Sequence, residues 1–104
     1  MNREDVFATA VKKWGVDSQV FMAVEEMAEL TKALVKMRRQ DYQWGNPLLE
    51  PARENLKEEV ADVELMLEQI KYMFEIHDIS DIKEKKLLRL ERLLEGLEGW
   101  IKEV

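Results

Sequence analysis

The 104-residue chain carries a formal charge of −6 and no cysteine; this argues against a nucleic-acid backbone as main partner, which needs a basic stripe, and excludes disulfides and sulfur-ligated metals. Its length reads as one domain over 1–104, small enough for oligomerisation to be a way of completing the core. With 46% hydrophobic residues, four Gly and two Pro, and few interior β-branched runs, the chain is expected to be all-α, in four to five helices.

Asn2 is placed to cap a first helix over 3–14, with Asp5 at the capping-box position and Val6, Ala10, Val11 and Trp14 on an apolar side. Gly15 ends that helix. Trp14 reads either as a core plug or as a platform for a planar ligand. Asp17 or Ser18 caps a second helix running to about Arg39, whose main apolar face contains Val20, Phe21, Val24, Met27, Ala28, Thr31, Leu34 and Val35. Gln19 reads as solvated or as reaching into the cleft near Glu25.

Residues 40–50 form the one long connection, where Gly45, Asn46 and Pro47 break the helical period. Tyr42 and Trp44 give it aromatic surface that would cover a cleft or meet a neighbouring subunit. A third helix is expected from near Pro51 to about Glu75, with Leu56, Val60, Val63, Leu67, Ile70 and Phe74 along one broad buried side. His77 stands alone, as an exposed or capping residue, because neither a zinc ligand set nor Glu-x-x-His pairs exist. Asp78 or Ser80 opens the last helix, where Leu87, Leu90, Leu94, Leu97, Ile101 and Val104 step by three and four, the seam of a helix packed along a partner. Its opening turns hold the one basic cluster: Lys83, Lys85, Lys86, Arg89 and Arg92.

The chemistry concentrates in two carboxylate clusters of identical spacing, Glu25, Glu26 and Glu29 on the second helix and Glu58, Glu59 and Asp62 on the third. Positions i, i+1 and i+4 fall within an arc of roughly 100°, so each helix presents a compact acidic face. Like charges at that spacing destabilise a helix. Both arcs run on into apolar positions, Met22 and Ala33 on one helix and Met66, Ile70 and Met73 on the other, where a partner helix should lie. Carboxylates facing one another there stay ionised only with a cation between them, and oxygen-only ligands suit Mg²⁺ or Mn²⁺. The basic turns of the last helix are candidates for the phosphates of a metal-bound triphosphate.

Glu26-Met-Ala-Glu29 and Glu59-Val-Ala-Asp62 resemble the ExxE…ExxD signature of the MazG-type all-α nucleoside triphosphate pyrophosphohydrolases. Trp14-Gly15 and Gln19 ahead of the first motif, the doubled Glu25-Glu26 and Glu58-Glu59, DVELMLEQI after the second motif and a basic, leucine-rich closing helix are similar to small phage-type and Firmicute-type members. The resemblance implies a helical bundle completed by assembly as a homodimer or homotetramer. It implies Glu26, Glu29, Glu59 and Asp62 as magnesium ligands, and cleavage of a nucleoside triphosphate to the monophosphate and pyrophosphate. The expected chemistry is attack of metal-activated water at the α-phosphorus, with Glu25 or Glu58 taking the proton and Lys83, Lys86 and Arg89 contacting phosphates. Trp14 or Trp44 would stack on the base and Gln19 would bond its edge. Two other readings are a non-catalytic helical interaction module and a pyrophosphohydrolase of a phosphoribosyl nucleotide. Residues 1–20 lack a signal core and no apolar run approaches the roughly 20 residues of a membrane span, so the expected address is cytoplasmic, with no membrane partner.

Overall fold

A computed structural model describes residues 1–103, with side chains described through residue 97. The fold is all-α, with four helices: α1 (Arg3–Trp14), α2 (Val16–Arg39), α3 (Leu49–Met73) and α4 (Ile79–Glu103). None of the described helices is long and apolar enough to cross a membrane.

Local chemistry sets the ends. The Asn2 side chain accepts from the Asp5 backbone N–H at 2.8 Å and the Asp5 carboxylate accepts from the Asn2 N–H at 3.3 Å, closing the capping box. Gly15, at φ 88, both ends α1 and precedes Val16. A side-chain cap from Asp17 or Ser18 is therefore not used, because α2 has already begun. Asp41 and Tyr42 turn through the left-handed region, and the Asn46 amide bonds Gln40 at 3.1 Å, folding the connection back on itself. Leu49 begins α3 two residues ahead of Pro51, which stays within the first turn, where its missing N–H costs nothing.

The core is an antiparallel hairpin of α2 and α3, with α1 packed across one end. Gln19 meets Gln69 at one end of the hairpin and Glu26 meets Glu59 and Asp62 further along, which fixes the direction. Small residues at the seam, Ala23, Ala33 and Ala52, are buried and let the helix axes approach closely. Phe7 of α1 lies against Tyr72 with ring centres 6.2 Å apart, and Arg3 donates to the Glu68 carboxylate at 2.7 Å.

The buried side of α2 differs from the expected one. Gln19, Ala23 and Ala33 are buried, with Glu26, Leu30 and Met37 half-buried beside them, whereas Phe21, Val24, Met27, Ala28, Thr31, Leu34 and Val35 are exposed. Both stripes have helical period, and the one carrying small and polar residues wins because it admits α3 closely. On α3, Val63 is buried and Leu56 and Ile70 are half-buried, while Val60, Leu67 and Phe74 face solvent. Trp14 is no core plug: it is exposed, with the Lys13 ammonium 5.4 Å from its ring centre.

Among the described residues, α4 packs against none of α1–α3, and Leu87, Leu90, Leu94 and Leu97 are exposed. The side chains of Ile101 and Val104, the rest of the expected seam, lie outside the described ones. The radius of gyration is 18.9 Å, against about 13 Å for a compact chain of this length.

Candidate metal centre

The hairpin register decides which acids meet. Glu26 projects from α2 toward α3, and Glu59 and Asp62, three residues apart on α3, project back. One carboxylate oxygen from each lies within 4.8 Å of the others. Glu26 and Glu59 are half-buried and Asp62 is exposed, so the group opens to solvent on one side. Only oxygen donors are present, and their separation suits a single hard divalent ion.

Burial and the neighbouring acids both act on Glu26. Its carboxyl is held above the ordinary value of 4.5, first by burial, then by the charges of Asp62 and Glu59, by a hydrogen bond with Asp62 and by the more distant charge of Glu29. In the metal-free protein Glu26 thus holds a proton more readily than a free glutamate.

Beyond the acids the same stripe continues with paired amides. Gln19 lies seven residues before Glu26 and Gln69 seven after Asp62, each about two turns away. Ala23 and Met66, both buried, fill the space between. The Gln69 amide donates to the Gln19 carbonyl oxygen, and Gln19 Nε2 approaches Met22 Sδ at 3.8 Å. Gln19 is thus buried rather than solvated, because α3 brings an amide of matching length to it. Gln69 belongs to the DVELMLEQI stretch but has no role assigned to it there, yet it sits on the arc of Asp62, Met66 and Met73, a position from which its burial was readable.

The other candidates are more dispersed. Glu29 is exposed and pairs with Lys32 at 3.6 Å, outside the three-acid group. Glu25 and Glu58 are exposed. Lys83, Lys86 and Arg89 are exposed on α4, which among the described residues makes no contact with the hairpin of its own chain. Trp44 is exposed in the connection between α2 and α3, and Trp14 is exposed at the end of α1. A separate cavity of about 760 Å³ opens between α1 and the end of α3, lined by Phe7, Tyr72 and Ile76 with Arg3, Lys71 and His77 at its margin.

The chain matches no described protein family, no curated protein and no solved structure.

Proposed function

We propose that the chain holds Mg²⁺, with Mn²⁺ as a substitute, through Glu26, Glu59 and Asp62, and hydrolyses a nucleoside triphosphate or related small phosphorylated substrate to the monophosphate and pyrophosphate. The observation that carries this reading is the convergence of three carboxylates from two helices within 4.8 Å. The donor set fits such an ion: it is all oxygen, and the burial and the neighbouring acid charges that raise Glu26 are what a bound divalent cation offsets. Glu29, on the same helix one turn from Glu26, joins the set when its side chain leaves Lys32.

Bound Mg²⁺ supplies neutralisation of phosphate charge and a lowered pKa for water. The chain's own residues supply the rest. Glu25 or Glu58 accepts the proton of the attacking water as the bond to the α-phosphorus forms and the bond to pyrophosphate breaks. Lys83, Lys86 and Arg89 reach the phosphates from a second copy in a homodimer or homotetramer. The exposed rings of Trp14 and Trp44 are candidates for stacking on a base. Gln19 serves base recognition only by exchanging its Gln69 partner. The reaction class rests on the resemblance of the two motifs to the MazG-type enzymes.

The test is release of pyrophosphate and monophosphate from a panel of canonical, deoxy and modified nucleoside triphosphates, with Mg²⁺ and with chelator. Metal-dependent release that disappears in Glu59→Gln, with helix content unchanged, is the expected outcome. Full activity in that variant refutes the site. Silence on free nucleotides with release from a phosphoribosyl nucleotide moves the substrate, and silence throughout favours a non-catalytic interaction module.

A further inference from the structure

Every acid of helix α2 precedes every cation: Glu29 is the last acid and Lys32 the first cation. Cations in a last turn complement the helix dipole, which accounts for Lys36, Arg38 and Arg39 as a group. The dipole neither places Lys32 nor selects a face. Yet Lys32, Lys36 and Arg39 follow Glu25 and Glu29 on one stripe, within an arc of roughly 80°, whereas Arg38 lies roughly 160° from Lys36 around the helix.

That stripe begins at the edge of the three-acid group, because the charge of Glu29 acts on the Glu26 carboxyl. In the opposite direction along α2 it offers Phe21, 65% exposed, and no cation. A phosphate chain held by an ion at the acids therefore finds counter-charge along α2 in one direction only, toward the connection that leads to α3.

Lys32 stands at the junction. Its Nζ lies 3.6 Å from Glu29 Oε1, and its side chain is 71% exposed. An exposed pair of this kind holds its members weakly, so both are free to change partner. When Glu29 turns to the ion, the Lys32 ammonium is left without a partner beside it. Lys36 is exposed and, among the described residues, makes no ion pair. It follows about 6 Å further along the axis, and helical side chains lean toward the N-terminus, which brings its ammonium over the Lys32 turn.

We infer that Lys32 and Lys36 hold the two phosphates of the leaving pyrophosphate, in the same chain as the metal centre. Resting on the preceding reading of Glu26, Glu59 and Asp62 as that centre, the assignment adds an exchange to it. Glu29 passes from Lys32 to the ion as Lys32 passes from Glu29 to phosphate.

Two titrations tell the lysines from the acids. Mn²⁺ alone, followed by the loss of the free ion's electron paramagnetic resonance signal, reports the acids. Inorganic pyrophosphate added as its Mn²⁺ complex, followed by calorimetry, reports the lysines. Lys32→Gln and Lys36→Gln are each expected to take up Mn²⁺ undiminished and to bind pyrophosphate about tenfold more weakly, the loss of one charge-assisted contact. Arg38→Gln, the same change of charge on the other side of the helix, is expected to alter neither. Mn²⁺ uptake with a pyrophosphate affinity that is absent, or indifferent to both lysines, overturns the inference and leaves the metal centre standing. An equal loss in Arg38→Gln overturns it by showing a diffuse field, and a loss confined to Lys83→Gln/Lys86→Gln overturns it by placing the phosphates on α4. A wild-type chain that takes up no Mn²⁺ overturns the metal centre and the inference together.

Discussion

Gln69 donates a side-chain hydrogen bond to Gln19 across the α2–α3 seam, fifty residues away in sequence, and both side chains are buried. Two buried amides at one end of the hairpin are tolerated because one bonds the other, and no buried side-chain polar atom among the described residues lacks a partner. Replacing one strands the other. Gln69→Leu is expected to destabilise the chain by about 1–3 kcal/mol, and the double variant Gln19→Leu/Gln69→Leu to recover most of that loss. Urea unfolding of the three variants gives the coupling; additive losses would show that the pair does not act as a unit.

The raised Glu26 carboxyl makes the metal-free protein pH-sensitive in a definite sense. A folded value above the ordinary 4.5 means that the folded state holds the proton longer than the unfolded chain. The stabilisation is fully present below that ordinary value and is lost as pH rises through the folded one. In chelator, wild type should therefore lose stability relative to Glu26→Gln between mildly acidic and neutral pH. Melting curves of the two proteins that stay parallel across that interval would contradict the raised Glu26 carboxyl.

Divalent metal should reverse the order. With a ligand that binds only the folded chain, stabilisation reaches about 2.7 kcal/mol at a hundredfold excess over the dissociation constant. Mg²⁺ or Mn²⁺ at neutral pH is expected to raise the wild-type melting temperature and to leave Glu26→Gln and Glu59→Gln nearly unmoved. An equal rise in all three would point to binding elsewhere on an acidic surface.

Glu75 offers a test independent of the metal. It lies at φ 51 just past α3, where the Ile76 N–H bonds the Lys71 carbonyl at 2.9 Å in the manner of a Schellman end. That conformation favours glycine, and the gain is partly offset by glycine's freedom in the unfolded chain. Glu75→Gly is expected to stabilise by roughly 0.5–1 kcal/mol, read as a higher urea midpoint with unchanged slope.

The sequence by itself determined the helices, because their signals are local. Asn2 with Asp5 makes a capping box, Gly15 takes a positive φ that side chains disfavour, and Gly45-Asn46-Pro47 interrupts the period. The spacing of Glu26, Glu59 and Asp62 and the apolar run beyond them also showed that the acids lie on the stripe facing a partner helix. Only the tertiary structure decided which of α2's two stripes became core. Phe21, Val24 and Val35 promise more apolar burial, yet close approach of α3 required Ala23 and Ala33, and pairing with Gln69 let Gln19 join them. It likewise decided that Glu29 turns to Lys32 while Glu26 joins the acids of α3, since which side chains converge depends on the axial register of two helices. That register is fixed by packing along their whole length, and no local pattern encodes it.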